Sequence, residues 1–329
     1  MTLALIIGGT RFLGRHTVEE FLDAGYDVTL FNRGNHENPF ADDPRVEHLE
    51  GDRTVEAEVK RAALDADPDV VVDCVAYHPG EVRVATEAFA DAGAYVYVSS
   101  GAAYGEHRIP KREDGTGLKP CSAEQAVDDS DATYGARKAE GDRAVREAAE
   151  RGVRAMSVRP PVVYGPHDYT ERFDYWIDRV ERFDRVVVPG DGTNVWHLVY
   201  AGDVASALRT VAEEGEPGES YNVGDDHAPT LGEWVERIAE ACDTDVERVF
   251  AGPRELSAAG LELADFPLYR PDPHLLSTAK LRSLGWRSTE HDAALEATVA
   301  DHRASDRTGR ENGPDREAEE RVLSILDTV

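Results

Sequence analysis

The chain has 329 residues, a length that favours one domain with a smaller second lobe over a single domain. Hydrophobic residues make up 41% of it, enough for a substantial core, but no apolar run approaches the roughly 20 residues that cross a membrane. The net charge is −29, with acids spread along the chain, which is typical of proteins from a high-salt cytoplasm and disfavours nucleic-acid binding.

The first half of the chain alternates short apolar segments with segments of helical periodicity. Strands are predicted at 3–7, 27–31, 46–49, 70–73, 94–99 and 153–159. Helices are predicted between them, at 15–24, 55–65, 81–91 and 136–150. Several strands are continuous apolar runs, as expected for strands covered on both faces. This alternation predicts an α/β fold, a Rossmann-type doubly wound parallel sheet over residues 1–165.

Beyond about residue 165 the pattern becomes irregular and predicts a smaller α+β substrate lobe over 166–303, partly interleaved with the first domain. Helices are predicted at 171–183, 204–213 and 231–241, and short strands near 186–188 and 221–223. Residues 304–314 are polar and predict a loop, and 316–326 resume helical spacing. The loop and helix over 304–329 are expected to dock on the body of the protein or on a partner subunit.

Cysteine and histidine usage gives no sign of a disulfide or metal framework. Cys74, Cys121 and Cys242 are isolated and contain no C-x-x-C pair, and the eleven histidines lack metal-binding spacing. The N-terminus carries no basic segment before its first apolar run. We therefore predict no metal, no signal peptide and a cytoplasmic location.

A glycine-containing loop joins the first strand to the first helix. Its sequence, Gly8-Gly-Thr-Arg-Phe-Leu-Gly14, directly follows the apolar run that ends at Ile7. Gly8 permits a tight turn, Gly14 lets the helix pack closely on the strand, and Arg11 replaces the usual middle glycine. A strand, a glycine loop and a helix in this order place backbone N–H groups around a pyrophosphate. The loop therefore predicts a dinucleotide-binding site.

The end of the second strand indicates which dinucleotide binds. An NAD site requires a carboxylate about 20 residues after the loop, whereas this strand ends in Asn32-Arg33-Gly34. Arg33 can pair with a 2′-phosphate, and Arg11 could reach the same group; alternatively, Arg33 is a surface residue in a turn. NADP is therefore preferred over NAD. Asp52, just after the third strand, either meets the adenine amino group or caps its own turn.

Ser100, Tyr134 and Lys138 form the candidate catalytic set. Tyr134 and Lys138 are four residues apart, so on one helix they share a face. A phenol with a pKa near 10 is a poor base at neutral pH. An adjacent ammonium lowers that pKa, and so does a nicotinamide cation when oxidised cofactor is bound. With the Ser100 hydroxyl on the same substrate oxygen, the set suits proton removal from a hydroxyl while hydride leaves the adjacent carbon.

Together these motifs resemble the short-chain dehydrogenase/reductase superfamily, specifically its extended branch of NAD(P)-dependent epimerases and dehydratases. The resemblance runs from Leu3 to about Trp286. It implies that Ser100 and Tyr134 are catalytic and contact substrate, and that Lys138 holds the nicotinamide ribose. It also implies a homodimer and a nucleotide-sugar substrate whose diphosphate is gripped by an arginine, here Arg270. The predicted cofactor-binding residues are Gly8, Arg11, Phe12, Leu13, Gly14, Asn32, Arg33, Asp52, Arg53, Ala76 and Lys138.

The sequence departs from the family pattern at places that affect the substrate. Val162 stands where the family usually has a substrate-contacting asparagine, and Trp196 where it usually has a second diphosphate-binding arginine. Both changes weaken the nucleotide-sugar assignment. Gly101-Ala102 stands where the 4,6-dehydratases carry an acid pair, so dehydration chemistry is disfavoured. Tyr164 and the two histidines His167 and His197 are further candidates to face the substrate pocket, or to pack within the lobe.

Two functions remain. The leading hypothesis is an NADP-preferring epimerase or reductase that acts on a hydroxyl of a sugar or sugar-nucleotide. The glycine loop, Asn32-Arg33-Gly34 and Gly51-Asp52-Arg53 also resemble an atypical branch that includes chloroplast stem-loop RNA-binding proteins. The alternative is therefore a nucleotide-sensing or RNA-associated protein without turnover. Tyr134 and Lys138 favour the enzyme, because some members of the atypical branch lack the tyrosine.

Overall fold

A computed structural model describes residues 2–328, and the chain divides into two compact units. The first unit contains residues up to 163, 199–224 and 276–288. The second contains 164–198, 225–275 and the residues from 289 onward, so it includes the C-terminal segment. The chain thus enters the second unit and returns twice to the first.

The regular elements are as follows. The strands are β1 (Leu3–Ile7), β2 (Asp27–Asn32), β3 (Val46–Glu50), β4 (Val70–Asp73), β5 (Ala94–Val98), β6 (Ala155–Arg159), β7 (Val162–Tyr164), β8 (Arg185–Pro189), β9 (Leu198–Tyr200), β10 (Ser220–Asn222) and β11 (Glu247–Ala251). The helices are α1 (Phe12–Asp23), α2 (Glu56–Ala66), α3 (Pro79–Ala88), α4 (Asp131–Glu150), α5 (Arg172–Arg182), α6 (Ala201–Glu214), α7 (Leu231–Cys242), α8 (Pro253–Ala258), α9 (Ala279–Ser283), α10 (His291–Arg303) and α11 (Arg316–Leu326).

Seven strands of the first unit form one sheet in the order β3-β2-β1-β4-β5-β6-β10, and every neighbouring pair is parallel. The strand order reverses at β1, so that β2 and β3 lie on one side of it and β4 to β6 on the other. This is the doubly wound order of a dinucleotide-binding Rossmann sheet. The predicted fold class is confirmed.

Alternation along the strands divides the core of the first unit into two layers, one on each face of the sheet. On β1, Ala4 and Ile6 pack with apolar residues of α1 and α6. Leu5 and Ile7 point the other way and pack with residues of α2, α3 and α4. All four side chains are fully buried. Burial of apolar surface stabilises the folded state by roughly 25 cal/mol for each Å² removed from water. Burial on both faces explains why the strand sequences are continuous apolar runs.

Sequence patterns predicted which strands and helices the first unit contains, but they placed the ends of these elements less accurately. The helix predicted at 136–150 begins five residues earlier, at Asp131, with Ser130 in the N-cap position. Serine followed by an acidic residue is a typical helix start, but Gly135 lowers helix propensity just behind it. In the second unit α10 was not predicted, because polar residues such as Thr298 and His302 occupy part of its buried face.

The second unit contains α5, α7, α8, α10 and α11 together with the parallel pair β8–β11. Phe173 of α5 and Trp234 of α7 pack edge to face, with ring centroids 5.3 Å apart. The C-terminal helix α11 docks on α5 within this unit, through a buried ion pair between Arg179 Nε and Glu319 Oε1 at 2.6 Å. None of the described helices is long and apolar enough to cross a membrane.

We expect Gly14→Ala to lower the free energy of unfolding by about 1–3 kcal/mol, because the added Cβ has no room. It would lie 2.5 Å from the backbone nitrogen of Gly9, which cannot move aside as a flexible side chain would. Gly80→Ala in α3 is the matched control, since its Cβ meets nothing within 4 Å. That substitution should leave stability unchanged or raise it by up to about 1 kcal/mol. Denaturant unfolding of the two variants in the same salt measures the difference; equal stabilities would contradict the close packing.

Candidate active site

The first unit brings the three predicted catalytic residues together. Tyr134 and Lys138 lie one turn apart on α4, and the Lys138 Nζ is 5.7 Å from the centroid of the Tyr134 ring. Ser100 follows β5, and its Oγ accepts a hydrogen bond from the backbone N–H of Ala102 at 3.1 Å. A Cβ on Gly135 would lie 2.4 Å from the Ala102 carbonyl oxygen, so α4 approaches the turn after Ser100 as closely as a glycine allows. The roles of the three residues remain predictions.

Lys138 is buried and its ammonium bonds to main-chain oxygens. Its Nζ donates to the Ala76 carbonyl at 2.7 Å and to the Val98 carbonyl at 2.8 Å. The ring of Tyr97 lies 4.8 Å from the same nitrogen and adds a cation–π contact. Burial lowers the pKa of Lys138 to about 8, while nearby carboxylates, Asp73 foremost, oppose that shift. The carboxylates thus favour the charged form of the lysine, which burial disfavours.

Two buried ion pairs lie close to this lysine. Asp73, at the end of β4, accepts hydrogen bonds from Arg53 Nη2 and, at 2.8 Å, from the Tyr95 hydroxyl. Burial raises the pKa of Tyr95 well above its usual value, and the charge of Asp73 and its hydrogen bond act in the same direction. Glu81 of α3 lies 3.5 Å from Arg53 Nη1. The first ion pair is thus part of a cluster in which two carboxylates, Asp73 and Glu81, lie against the guanidinium of Arg53.

The second pair joins α4 to β6. Arg159 Nε donates to Asp142 Oδ2 at 2.8 Å, and Arg159 Nη1 donates to the Tyr104 hydroxyl at 3.0 Å. Taken together, the two clusters contain three carboxylates and two guanidiniums, which leaves one negative charge in excess. A protonated Lys138 balances that charge. The charges of these two clusters therefore favour the ammonium form that the predicted chemistry needs.

The glycine loop has the geometry that a dinucleotide requires. Gly8 has a φ of 109°, in the region that favours glycine, as the tight turn demands. Helix α1 begins at Phe12, and its N-cap residue, Arg11, forms no side-chain capping bond. The backbone N–H groups at this helix start can therefore serve a pyrophosphate. The side chains of Phe12 and Leu13 pack inward, so these residues would contribute through their backbone.

Strand β2 itself ends without a carboxylate and basic side chains lie near its end, while the Glu50 carboxylate of β3 lies close to Gly34. Asn32 joins this strand to the loop, because its Nδ2 donates to the Gly8 carbonyl at 3.1 Å. Arg33 is exposed, and Arg11 Nη1 lies 3.4 Å from a ring nitrogen of His36. His36 lies only three residues after Arg33 but was not among the residues predicted from the sequence. The choice between NADP and NAD remains a prediction at this point.

Two predicted cofactor residues are engaged elsewhere. Asp52 accepts hydrogen bonds from the backbone N–H and the hydroxyl of Thr54 at 2.9 and 2.7 Å, bonds that lower the pKa of Asp52. The turn-capping alternative is therefore the one that the structure contains. Arg53 pairs with Asp73 through Nη2, whereas its Nε and Nη1 are buried without a hydrogen-bond partner among the described residues, so its contact with the cofactor remains a prediction. Sequence spacing alone could not reveal this pairing, because the two residues are 20 positions apart.

Arg270 belongs to the second unit, where its guanidinium lies 5.2 Å from the centroid of the Trp196 ring. Its Nε is buried and has no hydrogen-bond partner within the described residues. Desolvation lowers the pKa of Arg270, and Asp272 is the charge that opposes the shift. Of the other pocket candidates in this unit, Tyr164 is stacked on Phe173 with centroids 5.0 Å apart, so packing accounts for its ring. Arg270 therefore offers an unsatisfied donor to an anion.

Comparison with known proteins places this geometry in context. The Arabidopsis thaliana chloroplast stem-loop binding protein of 41 kDa b is 29% identical over 301 residues, covering 86% of this chain and 74% of the relative. The low-salt glycan biosynthesis protein Agl12 of Haloferax volcanii is 26% identical over 323 residues, covering 90% of this chain and 96% of the relative. The solved structure of the UDP-glucose 4-epimerase of Thermus thermophilus in complex with NAD superposes with a TM-score of 0.70 at 24% identity. The superposition covers 92% of this chain and 100% of the epimerase chain. The last comparison shows a shared fold.

A family match covers more than half of the chain. Residues 4–88 and 80–224 match the NAD dependent epimerase/dehydratase family. The match includes the glycine loop, the end of β2, Ser100, Tyr134 and Lys138. The resemblance inferred from the motifs is confirmed, and the chain belongs to the NAD-dependent epimerase/dehydratase family.

Proposed function

We propose that this protein is an NADP-preferring epimerase or oxidoreductase that acts on a hydroxyl group of a sugar or nucleotide-sugar. The observation that carries the proposal is the placement of the buried Lys138 one helical turn from Tyr134, with its Nζ 5.7 Å from the centroid of the tyrosine ring. Family membership supports NAD(P)-dependent chemistry. The similar fold of a UDP-glucose 4-epimerase supports a sugar substrate.

The side chains divide the proton chemistry between them. The neighbouring Lys138 ammonium stabilises the ionised form of Tyr134, and this phenolate takes the proton of the substrate hydroxyl and becomes a neutral phenol. The Ser100 Oγ already accepts a bond from Ala102, so its hydrogen can be donated to the substrate oxygen as that oxygen becomes a carbonyl. A bound nicotinamide cofactor supplies the hydride acceptor. The same proton step serves epimerisation and dehydrogenation, which differ in whether the ketone is reduced again before release.

The cofactor preference rests on charge at the end of β2. A 2′-phosphate brings two negative charges, which an acid at this strand end would repel and Arg33 would attract. Arg11, beside His36, adds a second guanidinium from the glycine loop. These three side chains support NADP, whereas the solved neighbour holds NAD.

The substrate is proposed to carry an anionic group that pairs with Arg270. A half-buried guanidinium with an unfilled Nε is stabilised by an anion that supplies the missing acceptor. Trp196, in place of a second arginine, offers a ring face to the ligand and no positive charge.

An RNA-associated role without turnover is set aside, because the family match and the buried charge cluster both favour an enzyme.

We expect Tyr134→Phe and Lys138→Ala each to reduce turnover by about 10²–10⁴-fold, because each removes part of the proton-transfer machinery. A thermal-shift screen of NAD, NADP and nucleotide-sugars in high salt first identifies a substrate. The matched controls in the same unit are Tyr26→Phe, at a partly exposed position, and Lys60→Ala, at an exposed one. Steady-state kinetics of all four variants measures the effect. Near-normal turnover in both site variants would contradict the mechanism.

Arg33→Ala should weaken NADP binding by about 1–3 kcal/mol and leave NAD binding nearly unchanged, because a charge-assisted contact to the 2′-phosphate is lost. Arg146→Ala, an exposed position on α4, is the control for a general change in charge. Isothermal titration of both cofactors into the wild type and the two variants at one salt concentration gives the comparison. An equal loss for NADP and NAD would rule out the assignment.

A further inference from the structure

The segment 74–78 joins β4 to α3 and supplies a ligand of the buried lysine. Its Ala76 carbonyl accepts one of the two hydrogen bonds that Lys138 Nζ donates. The segment has no regular secondary structure, so its shape depends on side-chain contacts. At its beginning, Asp73 Oδ1 accepts a hydrogen bond from the backbone N–H of Val75 at 3.3 Å.

A second carboxylate fixes the other end of the segment. Glu81 Oε2 accepts hydrogen bonds from the backbone N–H groups of Tyr77 and His78, at 2.7 and 2.9 Å. The second of these bonds belongs to a capping box at the start of α3. The Ala76 carbonyl is therefore held between two carboxylate-anchored turns.

One guanidinium connects the two anchors. Arg53 Nη2 donates to Asp73 Oδ2, and Arg53 Nη1 lies 3.5 Å from Glu81 Oε2. The Arg53 side chain is 10% exposed and that of Asp73 is fully buried. A buried ion pair gains little stability on its own, because desolvation offsets most of its attraction. The role of this pair therefore lies in the groups that it holds in place and not in added stability.

We propose that Arg53, Asp73 and Glu81, hereafter the Arg53 clamp, are positioning residues for Lys138. The clamp fixes the Ala76 carbonyl on the lysine nitrogen and keeps the charge of Asp73 close to it. The ammonium is thereby held in one place next to Tyr134. The inference rests on the role proposed above for Lys138, and it gives Arg53 a task other than the cofactor contact predicted from sequence.

Among the acids that act on Lys138, Asp73 of the clamp has the largest effect, and Arg53 of the same clamp opposes it. The hydrogen bonds of Lys138 within residues 2–328 go to two carbonyl oxygens and to no carboxylate. Its other neighbours are the uncharged rings of Tyr77, Tyr97 and Tyr134, at 4.8 to 5.7 Å. Asp142, one turn further along α4, is the remaining acid that acts on it, and its carboxylate is paired with a guanidinium.

The test follows Lys138 directly by NMR. The chain has only five lysines, so protein made with lysine labelled with ¹³C at the ε carbon gives five signals, and Lys138→Arg identifies the one required. Asp73→Asn should lower the midpoint of the Lys138 titration by about one pH unit or more, because the ammonium loses the carboxylate that most strongly favours its charged form. Asp73→Glu should restore a midpoint close to that of the wild type. Asp65→Asn, exposed on α2, is the matched control and should change nothing.

The other four lysine signals report whether each variant is folded. If Asp73→Asn does not fold, Glu81→Gln decides, since it keeps an acceptor for the two backbone N–H groups and removes only the charge. A lowered Lys138 midpoint in the folded variant supports the clamp, and a midpoint equal to that of the wild type overturns it. Turnover is not measured, so failure of this test leaves the proposed reaction standing. Conversely, loss of the proposed reaction in the kinetic tests leaves this titration unaffected.

Discussion

An ammonium group buried as deeply as that of Lys138 must be compensated inside the protein, because taking a charge out of water costs several kcal/mol. Two carbonyl oxygens, a tyrosine ring and one excess carboxylate charge provide that compensation. These groups come from β4, β5, α3 and α4, so the requirement fixes the relative placement of four elements of the first unit. The seven-stranded sheet supplies the rigid frame that makes such precision possible.

The fold was predictable because its signals are local. Continuous apolar runs marked the strands, and the strand, loop and helix around Gly8 and Gly14 marked the cofactor end. The four-residue spacing of Tyr134 and Lys138 places both on one helix face once the helix is known. The two uses of Asp52 were also visible in the sequence, since a capping aspartate bonds to the backbone two residues on.

What the sequence could not reveal depends on contacts between distant positions. Arg53 reads as a cofactor residue because it sits in the turn after a strand, yet its partner Asp73 lies on another strand 20 positions later. Only the folded sheet brings the two together. Helix α10 escaped prediction for a different reason, because buried polar residues such as His302, which bonds to Asp174 at 2.8 Å, break its apolar periodicity.

Family membership and substrate identity are separate questions in this chain. The family match covers the glycine loop and the predicted catalytic residues, and it supports the class of chemistry. Val162 and Trp196 depart from the family pattern at positions predicted to contact the substrate, and the fold does not determine what a site binds. The cation of Arg270, stacked on Trp196 and short of one acceptor, is the best guide to the substrate's charge.

Ionisation of Tyr134 with oxidised cofactor bound is the decisive measurement. Ultraviolet difference spectra of the wild type against Tyr134→Phe isolate the phenolate absorbance of this residue from those of the other eleven tyrosines, out of twelve in all. The same subtraction in a Lys138→Met background removes the ammonium. We predict that the phenolate forms at a pH about one unit or more lower when the lysine is present. Ionisation of Tyr134 at the same pH in both backgrounds would contradict the proposed catalytic role of the buried lysine.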